Sequence, residues 1–374
     1  MPITPRVVEL ANLFRARLLQ QERLAAGAMA RYYGTIWSEL QGEMDALSRE
    51  IRRLQAAGQS FSVDKIYRLE RMQAVQNQVT EELDRFARYS GGAITAQQRQ
   101  AIAMGERDAY QLTLSAFPPG AEINARFWRM PRDAVETMAG FVADGTPLAE
   151  LIGGYVGESR DGFLERLVAG LAKGQNPRAI ARELRDDFGM GLTKALEIAR
   201  TEQLRAYRTA TLGSYRESGV VKGWERHADK SDRTCIACIM LDGKLYELAT
   251  DMDDHVNGRC CMLPVTKTYA EMGIDAPEPQ FKQESAREWF ERQDEATQRR
   301  MFDGISKDAY DSWKGGLFSL EDIPHVTRND IWGDSWTEKP MYKLLGVEKR
   351  HSYTDIITDM MGANLESAFQ EAGL

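Results

Sequence analysis

Cysteine is nearly missing from this chain of 374 residues: there are four, all between Cys235 and Cys261. So few thiols in so long a chain argue against a disulfide-stapled fold. Long apolar runs are missing as well. No stretch approaches the roughly 20 residues that a bilayer-spanning helix needs. The opening segment MPITPRVVELANLFRARLLQ lacks the apolar centre and small-residue cleavage site of a secretory signal. The chain is therefore expected to be made and kept in a cytoplasm, where thiols stay reduced. Excess positive charge is also missing. The net charge of −8 excludes a protein that coats nucleic acid by bulk electrostatics, and any DNA contact needs a local basic face. No P-loop, GxSxG, HExxH or dinucleotide fingerprint occurs, and no repeat of solenoid period.

The residues that are present describe a soluble, largely helical protein, since 43% are apolar and 28% charged. The length suggests two or three domains. Tyr33, Trp37, Leu40, Met44, Leu47, Ile51 and Leu54 alternate in steps of four and three, a heptad seam along one helix face. Ala56 to Ser60 breaks the run. Ile66, Leu69, Met72, Val79, Leu83 and Phe86 form a second stripe, so the two long helices read as an antiparallel hairpin within a helical region 1–116. Such a seam is bundle core or, alternatively, a coiled-coil arm for a partner; packing within the chain is preferred. Ser90, Gly91 and Gly92 are read as the end of this unit, and Thr95 with Gln98 as the capping box of a third helix. From Pro131 to Leu212 the pattern suggests shorter amphipathic helices, with breaks at Gly174–Pro177 and Phe188–Gly191. Val220, Val221 and Trp224 suggest a strand, and Asp242-Gly243 a turn opening a second one.

The cysteine window reads C-x2-C followed by H-x4-C-C: Cys235, Cys238, His255, Cys260 and Cys261. This is zinc-ligand spacing, because a tight knuckle presents two sulfurs and a later segment supplies the other pair. Cys235, Cys238, His255 and Cys260 are the candidate metal ligands, with Cys261 turned away or replacing Cys260. Four protein donors would close the site, which marks a structural rather than a catalytic metal. A metal-free thiol cluster or a disulfide is the alternative. A zinc-supported nuclease using His227 and Asp229 is a further one, but no second cluster of acid and histidine accompanies them.

Several segments together carry a resemblance. GQNPRAIARELRDDFG is followed by ALEIARTEQLRAY, then by Trp224, by Asp232 to Cys238 with Leu241-Asp242-Gly243, and by HVNGRCCMLP. In this order, from Gly174 to about Pro264, they resemble the Mu F-like head morphogenesis family, the minor head proteins of tailed bacteriophages. The family pattern usually ends in H-P-x-C-R-C; here Val256 and Gly258 replace its Pro and first Cys.

Within ALEIARTEQLRAY, Arg200 and Glu202 are two residues apart and cannot face each other on a helix. They are expected to form a structural polar clamp by pairing with other segments, plausibly the zinc hairpin; the alternative is a solvated face. Arg205, Arg208, Arg216 and Lys222 give this region positive character and are candidate DNA contacts, unless they too are simply solvated. Helices are expected near 284–302 and 306–314. Trp313, Phe318, Trp332 and Trp336 are read either as a satellite core, preferred for Trp313 and Phe318, or as a docking patch. Residues 347–374 have the pattern of a terminal helix.

The expected fold is mainly α with a small β-hairpin, knuckle-like unit. The domains are 1–116, a core at 117–266 and a mixed region at 267–374. The resemblance implies a structural minor head protein, not an enzyme, in the virion near the portal vertex and in the host cytoplasm during assembly. It also implies contacts with portal protein and with major capsid or scaffold protein and a role in DNA packaging or ejection; no contact with membrane is expected, since long apolar runs are missing. A nuclease or toxin-like domain and a DNA-binding module are the competing functions.

Overall fold

A computed structural model describes residues 3–60, 62–175 and 177–347; the terminal helix expected over 347–374 lies, apart from its first residue, outside them. The chain begins with α1, Pro5–Ala56, capped by the Thr4 side chain, which accepts the Val7 N–H, and primed by Pro5 in its first turn. The short α2, Val63–Tyr67, carries Ile66 of the second stripe, and α3, Glu70–Ser115, runs back along α1. Tyr33, Leu40, Met44, Leu47 and Ile51 are buried against Met72, Val79, Leu83 and Phe86 of α3, while Trp37 and Leu54 are half-buried at the edge of the seam. The heptad stripe is thus core of this chain.

Two expected breaks are absent. Gly91 lies inside α3 because α5, Leu148–Ala172, crosses there: a Cβ at Gly91 would lie 3.0 Å from the Ala149 nitrogen. Thr95 and Gln98 accordingly do not cap a helix. The Thr95 hydroxyl donates to the Gly91 carbonyl one turn back, and the Gln98 amide is turned into the interior. Phe188–Gly191 likewise lies within a single helix, α6, Pro177–Glu217. That stretch is held by tertiary bonds: Tyr33 donates to the Phe188 carbonyl, and Ser159 accepts the Gly191 N–H at 3.0 Å. The helices after Pro131 are therefore the short α4, Arg132–Met138, and two long ones. One hydrophobic core takes side chains from α1, α3, α5 and α6 and is continuous across residue 116.

From α6 the chain turns at Gly219, whose φ is 76°, into β1, Val221–His227. After α7, Ile236–Leu241, come β2, Leu245–Glu247, and β3, Cys261–Thr266. They form an antiparallel sheet in the order β2-β1-β3, with Trp224 opposite Tyr246 on one side and Pro264 on the other. The Trp224 and Tyr246 rings stack at 4.2 Å. The Tyr215 hydroxyl of α6 donates to the Met262 carbonyl at 3.0 Å, tying the sheet to the long helix.

The last region packs α8 (Ala286–Glu291), α9 (Glu295–Arg300), α10 (Ala309–Lys314) and α11 (Met341–Leu344) around Phe290, Phe302 and Tyr310. The helix expected over 284–302 is two helices, because the Asp294 side chain accepts the Thr297 N–H and starts α9 anew. Trp313 and Phe318 belong to this core. The strands β4, Pro324–Asn329, and β5, Gly333–Glu338, form a hairpin that the sequence pattern does not suggest. Trp332 sits at its tip and reaches the helical core; Trp336 is half-buried under the Lys244 ammonium, 4.8 Å from the ring centroid. The fold is mainly α with small antiparallel sheets.

Candidate metal centre

The two thiols of the C-x2-C pair lie at the start of α7. Cys235 is its N-cap, with its sulfur 3.4 Å from the Cys238 N–H, and Ile236, Ile239 and Leu241 bury the rest of this short helix. His255 arrives from the loop between β2 and β3. Its Nδ1 lies 2.8 Å from the Val256 carbonyl, which assigns the proton to Nδ1 and leaves the Nε2 lone pair free. Nε2 is 3.4 Å from both Cys235 Sγ and Cys238 Sγ. Donors around a tetrahedral zinc, with bonds of about 2.3 Å to sulfur and 2.0 Å to nitrogen, lie about 3.5 Å apart, so the three atoms fit such an ion. Cys260 approaches Cys238 from the end of the loop and forms a second group that shares only Cys238 with the first: its sulfur, that of Cys238 and a carboxylate oxygen of Asp254 all lie within 4.8 Å of one another.

Successive residues entering β3 point to opposite faces, which separates Cys260 from Cys261. Cys260 is buried beside α7, whereas Cys261 faces α1, with its sulfur 3.9 Å from Arg15 Nη1. Of the two, Cys260 is the one that lies beside Cys238. Burial works to lower the His255 imidazole, but the Cys238 sulfur and the Asp254 charge outweigh it and raise it. The cluster therefore favours a cation at Nε2, which a proton or a metal ion can supply.

The loop is held by α6. Arg200 donates to Glu22 of α1 at 2.7 Å and to the Asn257 side chain at 3.1 Å, and the Thr201 hydroxyl accepts the Asn257 N–H at 3.2 Å. Asn257 is the one non-glycine among the described residues with positive φ, 65°, a conformation asparagine tolerates better than most. About two turns further along α6, Arg208 donates to the Gly258 and Cys260 carbonyls and to Asp254 Oδ2. Gly258 has no room for a side chain: a Cβ there would fall 2.2 Å from Asp254 Oδ2. A cysteine at that position would collide with the carboxylate that now fills the space.

Glu202 points the other way, as the two-residue spacing requires. Its fully buried carboxylate accepts from Gln98 at 2.9 Å, from Arg205 at 2.6 Å and from the Trp332 indole N–H at 2.9 Å. It thus joins α3, α6 and the β4–β5 hairpin, while Arg200 joins α6 to α1 and the cysteine loop. The four cations singled out for DNA are each paired within the chain: Arg205 with Glu202, Arg208 with Asp254, Arg216 with Asp251 and Lys222 with Glu271.

His227 is sealed beneath α1, with Nε2 3.1 Å from the Asn12 side chain; burial, Arg15 and Lys230 lower its pKa to about 3. Asp229 pairs with Arg15 instead of with a second acid. Sequence reasoning missed Asp254 and Arg226. Burial would raise the Asp254 carboxyl, but Arg226 and Arg208 hold it at about 2. Asp254 is the immediate neighbour of His255, which was a usable signal. Arg226 had none, since only the sheet register brings it to Cys238.

Residues 161–263 match the family described as Phage Mu protein F like protein, and this span contains all of α6, β1, β2, the start of β3 and the whole cysteine cluster. The segment belongs to the Mu F-like family. That membership implies a phage head morphogenesis protein and a place in the virion. No curated protein and no solved structure matches the chain. No helix of the described residues is long and apolar enough to cross a membrane.

Proposed function

We propose that this protein is a structural minor head protein of a tailed bacteriophage, seated near the portal vertex in contact with portal protein and with major capsid or scaffold protein. In that place it assists DNA packaging or ejection. The observation that carries the reading is the Mu F-like match over 161–263, which falls on the long helix and the unit it holds. We further propose that Cys235, Cys238, His255 and Cys260 bind one structural zinc ion. Cys235, Cys238 and His255 lie together with a fixed histidine tautomer, and Cys260 beside Cys238 offers a fourth donor, which supports a closed site without an open position for substrate. A scaffold role, not an enzymatic one, is supported by the residues that would otherwise invite chemistry. His227 is sealed, and both Glu202 oxygens are engaged in interdomain-style tethers.

The test is assembly. Purified virions should contain the protein, and crosslinking in immature heads should recover it with portal protein; its absence from both would defeat the reading. Elemental analysis of the reduced, purified chain should find about one zinc per chain, and less than about half an equivalent would defeat the zinc assignment.

A further inference from the structure

Asp254 is chemically able to bind metal and lies beside Cys238 and Cys260. Both its oxygens are already committed. Oδ1 accepts from Arg226 and Oδ2 from Arg208, each at 2.5 Å. Among the described residues neither arginine forms an ion pair with a second acid: Arg226 reaches the Cys238 sulfur at 3.6 Å, and Arg208 reaches the Gly258 and Cys260 carbonyls. Two guanidiniums and one carboxylate leave a single positive charge. It is deeply placed, since the side chains of Asp254, Arg226 and Arg208 are 0%, 1% and 10% exposed. An unbalanced charge at that depth is strongly unfavourable. A zinc ion with three thiolates and a neutral imidazole carries a single negative charge, opposite in sign to that of this trio; the carboxylates of Glu338 and Asp253 also act on His255 and Arg226, so the specific link to the thiols is the Arg226 N–H on the Cys238 sulfur.

Resting on the zinc reading above, we infer that Arg226 and Arg208, bridged by Asp254, are positioning residues of the metal centre. They supply the counter-charge that commits it to three thiolates, Cys235, Cys238 and Cys260, and one imidazole, His255. They also keep Asp254 and Cys261 out of the ligand set. Arg226 acts directly, because its N–H points at a ligand sulfur.

The full chain is loaded with Zn2+ and, separately, Co2+. Arg226→Gln should weaken Zn2+ binding by roughly 10- to 100-fold in competition with a chromophoric chelator. It should also move the sulfur-to-cobalt charge-transfer band to lower energy, since a thiolate without its hydrogen bond gives up electron density more readily. Arg226→Lys should restore most of both. Cys260→Ala should remove about a third of the charge-transfer intensity, one thiolate of three, and Cys261→Ala and Asp254→Asn should remove none. An Arg226→Gln protein with wild-type affinity and band position overturns the inference, as does loss of intensity in Cys261→Ala but not in Cys260→Ala. Should Arg226→Gln fail to fold, the cysteine pair decides. A wild-type chain that binds no metal overturns the zinc reading itself.

Discussion

At the scale of single residues, this protein invests its polar side chains in tethers. Glu202 is the clearest case. Glu202→Ala would leave Arg205, Gln98 and the Trp332 indole facing a void, and breaking a buried pair on one side costs about 3–5 kcal/mol. Denaturant unfolding should show that loss, with Glu202→Gln retaining part of the stability; a change under about 1 kcal/mol for alanine would contradict the tether. Glu225 offers a pH test. Burial, helped by the Asp242 charge, raises its carboxyl from an ordinary 4.5 to about 7. The native state therefore holds this proton more tightly than the unfolded chain does. The group's unfavourable effect is absent below about pH 4.5, grows as pH rises to about 7 and is complete above it. Glu225→Gln should thus raise the melting temperature at pH 8 and do so much less at pH 5. An equal gain at both values would refute the sign.

At the scale of elements, α6 is the part on which the rest depends. Its first half packs in the helical core, and its second half carries Arg200, Thr201 and Arg208 to the cysteine loop. This helix and α3 illustrate where sequence patterns mislead. Gly91 and Gly191 look like helix ends, because glycine in a helix interior is unfavourable by itself. Here that cost is offset by close packing against a neighbouring helix, a fact no local pattern contains. Gly91→Val should therefore act by collision with Ala149, not through helix propensity, and destabilise by about 1–3 kcal/mol. Gly92→Ala, next to it with nothing within 4 Å, is the control, and thermal melts should find it neutral or stabilising. Equal effects at the two positions would argue against the close crossing.

At the scale of the whole molecule, the cysteine unit and the helical core are wired together rather than strung in series. Arg200 spans Glu22 and Asn257, and Trp332 of the C-terminal hairpin reaches Glu202. If zinc occupies the cluster, its removal should be felt throughout. Treatment of the reduced protein with a strong chelator should lower the midpoint of the helical transition seen by far-UV circular dichroism, by an amount that grows with the zinc affinity. A helical transition that stays in place while only the cysteine region melts would show that the wiring carries little energy. A head protein gains from such coupling, because a small unit with little core of its own keeps its shape only when fastened to a larger one.

Much of this was written in the sequence by itself. The heptad seam from Tyr33 to Ile51, the strand at Trp224, the donor types at Cys235, Cys238, His255 and Cys260, and the opposed directions of Arg200 and Glu202 all follow from local periodicity and residue chemistry. These features depend on neighbours within a few residues, and that is the range a pattern reports. Tertiary structure decided the rest. It made α3 and α6 continuous through their glycines, sent Cys260 and Cys261 to opposite faces, and spent Arg205, Arg208, Arg216 and Lys222 on acids of the same chain. It also brought Arg226 and Asp254 to the thiols. Each of these outcomes turns on the direction of approach of a segment distant in sequence, and only packing fixes that direction.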